Sequence, residues 1–151
     1  MFGRLKVLLA DPAALGTLSG RDDRRYAAAG LLVVAARMDA VFSEPERRAI
    51  LDLLSDRFCL TEADAGGLMA VAESRAEQSQ QIFPLTRIVE QSFSPAERID
   101  LMEMLWEVVY ADGRLHEYEA NLLRRIAGLI HVSDADSGAA RKRVLARLGL
   151  E

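Results

Sequence analysis

One cysteine, two histidines and four prolines in 151 residues exclude several kinds of protein at the outset. With Cys59 alone no intrachain disulfide can form, which suits a reducing cytoplasm. Cys59 has no Cys-x-x-Cys partner and no nearby His, so it reads as a small buried hydrophobe. Neither His116 nor His131 lies near a Ser or Cys in a nucleophile pattern, and no enzymatic activity is expected. His131 reads as a half-buried packing residue. A Gly-rich phosphate loop is also lacking, because Gly66-Gly67 falls inside a helical stretch with no Lys after it. Strand-favouring runs of Val, Ile, Thr and aromatics are scarce, which argues against a sheet.

Long apolar runs are missing too. The stretch YAAAGLLVVAA (26–36) ends at Arg37 and is too short to cross a bilayer, but it fits a buried central helix. At the start, MFGRLKVLLA carries a basic residue, yet VLLA is too short for the apolar region of a signal peptide and no cleavage site follows. The expectation is a cytoplasmic protein with no membrane span. A cationic excess is equally absent: the net charge is −4, which argues against a nucleic-acid partner. The local exception, RKRVLAR (141–147), reads as cations complementing the C-terminal dipole of the last helix.

What is abundant is Ala, Leu, Arg and Glu, a helix-forming set, in a chain 50% apolar and 28% charged. The fold class is all-α, a compact bundle of seven to eight helices. Four starts are marked by a hydroxyl residue three positions before an acid: SEPE (43–46), TEAD (61–64), SPAE (94–97) and SDAD (133–136). From them the spacing predicts helices near 2–10, 22–39, 44–58, 62–80, 81–92, 95–111, 117–130 and 134–148. Pro84 must lie in the first turn of the fifth or kink it. Leu31, Leu32, Ala35, Ala36 and Met38 keep one face dry, as do Leu101, Leu105, Val108 and Val109. Trp106 and Phe42 supply core bulk.

The order of elements then repeats. With an offset of 73, LLVVAARMDAVFSEPERRAILDLL (31–54) falls on MLWEVVYADGRLHEYEANLLRRIA (104–127), and with one residue removed CLTEADA (59–65) falls on HVSDADS (131–137). Repeat one spans 22–80 and repeat two 95–149, after an N-terminal lead-in of 1–21. Each half would leave an apolar face uncovered, so the two are expected to pack by pseudo-twofold symmetry.

The offset pairs Asp39 with Asp112, Glu44 with Glu117, and Glu46 with Glu119. If the two helix junctions converge, these carboxylates offer hard oxygen ligands suited to Ca²⁺, Mg²⁺ or Mn²⁺. His116, beside the second cluster, would widen the choice toward Zn²⁺. The segment after Asp112 lacks the oxygen ligands and central Gly of an EF-hand. Helix-end chemistry is the competing account: Glu44 and Glu117 sit in first turns, and Glu46 and Glu119 stand where a capping carboxylate would. Asp39 and Asp112, which end helices, are the harder pair to explain as structure.

The doubled Asp-x-x-x-x-Glu in AARMDAVFSEPE and ERIDLMEMLWEVVYADGRLHEYE, with VSDADSGAARKRVL, resembles the TerB-like, tellurite-resistance-associated domain over roughly 22–150. Repeat two resembles an uncharacterised bacterial branch of that family nearly word for word. The first half departs from it where Ala40 stands in place of the Gly found at 113. The resemblance implies a compact helical bundle of two similar halves, associated with tellurite and other chemical stress, non-enzymatic, with a divalent cation on its acidic residues. Carried onto this chain, the site would be Asp39, Glu44, Asp112 and Glu117, with Glu46, Glu119 and His116 as additional members. The alternative is an interaction module without metal, meeting a protein partner or itself through an apolar patch. The first helix, with Phe2, Leu5, Val7 and Leu8, could supply that patch or pack on the core.

Overall fold

A computed structural model describes residues 20–37, 43–78, 82–111, 113, 115 and 117–150. They form seven helices: α1 Gly20–Ala36, α2 Glu44–Phe58, α3 Glu62–Gln78, α4 Phe83–Ser92, α5 Pro95–Val109, α6 Glu117–Leu129 and α7 Asp134–Leu148. No strand occurs among the described residues, so the class is all-α. The helix expected at 2–10 lies outside them, as do Met38 and Phe42. No helix among the described residues is long and apolar enough to cross a membrane.

Helix α1 is the axis of the bundle. Ala27, Ala28, Ala29, Leu31, Leu32, Val33, Ala35 and Ala36 are all fully buried, which requires neighbours on every side. Helices α2, α3, α4, α5 and α6 supply them. The small residues set the approach distance. A Cβ added at Gly30 would stand 2.8 Å from Leu85 Cδ1, so α4 lies against bare backbone there. Helix α5 is a second buried rod, presenting Leu101, Met102, Leu105, Val108 and Val109 to the core and packing on α1, α2, α6 and α7.

The capping signals act as the sequence predicts. Ser43 and Ser94 form complete capping boxes with Glu46 and Glu97. Thr61 Oγ1 and Ser133 Oγ each accept an N–H from the acid three residues on, both at 3.1 Å. Pro84 sits in the first turn of α4, where its missing N–H costs nothing. Helix ends are less well anticipated. Helix α1 is described to Ala36, the end expected at 39 lying outside the described residues, and α5 stops at Val109 rather than 111. At the latter, Tyr110 leaves helical geometry and Gly113, at φ 85°, donates its N–H to the Tyr110 carbonyl.

Two expectations are corrected at the C-termini of α2 and α6. Cys59 and His131 are exposed rather than packing residues. Both adopt left-handed backbone, at φ 54° and 62°. Each is followed by a residue whose N–H reaches back five positions, Leu60 to Ser55 and Val132 to Ala127, so that the last helical carbonyls are satisfied. It is the following Leu60 and Val132 that turn inward against the core, leaving Cys59 and His131 at the surface. His131 Nε2 lies 3.3 Å from a Glu90 carboxylate oxygen on α4.

Candidate functional site

The two acidic junctions divide into outer and inner carboxylates. Glu44 is the first residue of α2 and its side chain is 88% exposed, with Arg47 Nε 3.9 Å away. Arg47 is held elsewhere, by a two-pronged pair with Glu73 of α3 at 2.7 and 3.1 Å. Glu117, the first residue of α6, is likewise exposed. Two residues on, the environment reverses: Glu46 and Glu119 are each only 2% exposed. Glu46 Oε1 accepts from the Ser43 N–H at 3.2 Å and from Ser43 Oγ at 2.7 Å, so this carboxylate serves the cap.

Asp39, Asp112 and His116 lie outside the described residues. Among the described residues no group of three or more His, Cys, Asp or Glu side chains is placed to hold a metal ion. Glu44 and Glu117 nevertheless suit a cation chemically: they are exposed oxygen donors at the mouths of two helix junctions, and neither is spent on the core.

A second constellation escaped sequence reasoning. A cleft of about 490 Å³ opens between the N-terminal part of α1, the end of α2 and the start of α5. Three guanidinium groups line it, from Arg24, Arg25 and Arg57, facing the carboxylates of Glu97 and Asp100. Arg24 is ion-paired with Glu97 and its guanidinium carbon stands 4.9 Å from the Phe93 ring centroid. Arg25, only 8% exposed, donates to the Phe58 carbonyl at 3.4 Å, placing a cation at the negative end of α2. Arg57 reaches Asp100 at 4.0 Å. The Ser94 N–H, and then Arg24, hold the Glu97 carboxyl below its usual range against an opposing desolvation effect. The only sequence signal was the charge run RDDRR (21–25), which has no periodic counterpart at Arg57.

The basic segment 141–147 also differs from expectation. Its arginines are used mainly on α5 rather than on the dipole of their own helix. Arg143 Nε lies 3.0 Å from Glu103, and Arg147 bridges Glu103 at 3.3 Å and Glu107 at 2.8 Å. Arg141 stacks over Trp106 and Tyr110, at 5.5 and 5.8 Å from their centroids, and its Nε donates to the Tyr110 hydroxyl at 2.8 Å. Trp106 is a core residue, as expected, and donates its indole N–H to Ser137 at 3.2 Å.

Among known proteins, the family model described as "Tellurite resistance protein TerB" matches residues 25–142. No curated protein and no solved structure matches the chain. The match covers both acidic junctions and runs from the buried half of α1 into α7, the same helices that build the core. This chain belongs to the tellurite resistance protein TerB family.

Proposed function

We propose that this chain is a non-enzymatic, stress-associated member of its family that binds a divalent cation through Asp39, Glu44, Asp112 and Glu117. The observation that carries the reading is the exposure of Glu44 and Glu117 at equivalent helix starts, while Glu46 and Glu119 beside them are buried. Helix-end chemistry accounts for Glu46 through capping, whereas Glu44 and Glu117 stand toward solvent, where a ligand can reach them. The starts of α2 and α6 are 73 residues apart and those of α3 and α7 are 72 apart, the offsets of the internal repeat. That correspondence supports a duplicated junction in two similar halves. A bound Ca²⁺, Mg²⁺ or Mn²⁺, or Zn²⁺ if His116 joins, would supply positive charge that ties the junctions together, a structural rather than catalytic role.

The test is a thermal melt of metal-stripped protein with each cation, repeated on Asp39→Ala, Asp112→Ala, Glu44→Gln and Glu117→Gln. Saturation at about 100 times Kd adds roughly 2.7 kcal/mol, a rise of roughly 5–10 °C for a chain of this size. The shift is expected in the wild type and is lost or strongly reduced in all four variants. A wild-type melt that no cation moves would end the metal reading.

The alternative, an interaction module in a cytoplasmic setting, is favoured by one feature. Phe83, 61% exposed, borders a groove with Arg87, Gln91 and Leu129. If Phe83 meets a protein partner or a second copy, Phe83→Ser abolishes association measured by sedimentation without lowering the melting temperature.

A further inference from the structure

The geometry points to a second copy of this chain as the occupant of the groove between α4 and the end of α6, with the two α4 helices antiparallel about a twofold axis. The inference rests on the interaction-module reading and names its partner. The groove measures about 500 Å³ and is bordered by Phe83, which at 61% is the most exposed large apolar side chain among the described residues. A Cβ added at Gly128 would meet nothing within 4 Å, so the α6 wall leaves room for a ring.

What selects a second copy is a stripe that complements itself. Phe83, Arg87 and Glu90 are all exposed and follow one another at four and three residues, which puts them on one flank of α4. Arg87 has no ion-pair partner among the described residues. Glu90 has one carboxylate oxygen 3.3 Å from His131 Nε2, and its side chain is still 45% exposed. Laid parallel, two such stripes would set Arg87 against Arg87. Laid antiparallel, Arg87 of each copy faces the partner's Glu90, and the twofold makes both pairs at once. These two charges cancel on the face, so the overall −4 does not keep the copies apart at short range.

The same register carries each Phe83 ring toward the partner's Gln91 and the partner's His131, at the far end of the groove. Aromatic burial supplies the affinity and the paired charges set the register. With one 10-residue helix from each copy at its centre, the interface belongs to the small end of the specific range. The dimer therefore forms as concentration rises rather than permanently.

The test is sedimentation velocity of the full chain from micromolar to near-millimolar concentration. The wild type is expected to pass from monomer to dimer, and Phe83→Ser to remain monomeric. Gly128→Gln fills the groove and weakens the dimer at least tenfold, with a melting temperature no lower than wild type. Arg87→Glu and Glu90→Arg each weaken self-association at least tenfold, and mixing these two variants restores it. A pair within one helix cannot produce that rescue, because the complementary charges are then on different chains. Dimerisation retained by Phe83→Ser, or a mixture no more associated than its components, would overturn the arrangement. A wild type that stays monomeric overturns the second copy. If that monomer retains another protein from cell extract and Phe83→Ser does not, the interaction-module reading stands without it; equal retention by both ends that reading as well.

Discussion

At Ser94, a hydroxyl and a carboxylate three residues apart do two jobs. Glu97 Oε1 accepts the Ser94 N–H at 2.8 Å while Ser94 Oγ accepts the Glu97 N–H at 3.2 Å, and a second Glu97 oxygen meets Arg24 of α1. A local helix signal thereby becomes a tertiary tie. Ser94→Ala and Ser43→Ala should each lose about 1 kcal/mol in denaturant unfolding. The depressed Glu97 pKa gives a signed prediction. Its folded value lies below the unfolded one, so its contribution is present above the unfolded carboxylate pKa of about 4.3 and is lost as pH falls through the folded value. Glu97→Gln should therefore lower stability at neutral pH and flatten the acid limb of the stability profile, and the two proteins should converge at low pH. An unchanged acid limb would mean that the Ser94 and Arg24 contacts do not persist in solution.

Between elements, α7 is clasped onto α5 by charge around an aromatic pair. Glu103 is nearly buried and meets both Arg143 and Arg147, whereas Glu107 is more open and, among the described residues, meets Arg147. Glu103→Gln should cost about 1–3 kcal/mol, because two arginines lose a shared, poorly solvated partner. Glu107→Gln should stay below about 1 kcal/mol, the range of exposed pairs. Equal losses would show that burial at Glu103 does not set the strength of the clasp. The contact of α1 with α4 depends instead on missing volume at Gly30. Gly30→Ala gains helix propensity but presses two Leu85 methyl groups, so the opposing effects should leave stability within about 1 kcal/mol of wild type. Gly30→Ile has no such compensation and should cost about 1–3 kcal/mol or more in the same measurement.

At the scale of the whole molecule, one buried helix couples the rest. Since α1 touches α2 through α6, truncating it should lower a single cooperative transition rather than split it. Leu32→Ala, at a fully buried site, should cost about 2–5 kcal/mol, and every spectroscopic probe should report the same midpoint. Divergent midpoints would show that parts of the bundle unfold separately. Much of this architecture was legible from residue spacing: SEPE and SPAE named the starts of α2 and α5 because capping depends on residues three apart, and YAAAGLLVVAA named the buried axis because no polar face interrupts it. The helix ends were not legible in the same way. Left-handed caps at Cys59 and His131 use residues with no strong preference for that backbone, so the surface position of both side chains emerged only in three dimensions. The doubled acids were visible as a pattern, yet the burial of Glu46 and Glu119 against the exposure of Glu44 and Glu117 depends on which flank of each helix meets its neighbours. The cleft was the least legible feature of all. Its arginines come from α1 and α2 and its acids from α5, and interactions across such sequence distances carry no period for a reader to detect. Short-range chemistry, written within a turn or two of helix, was determined by the sequence alone. Which charges face one another, and around what space, was decided by how α1, α2 and α5 pack.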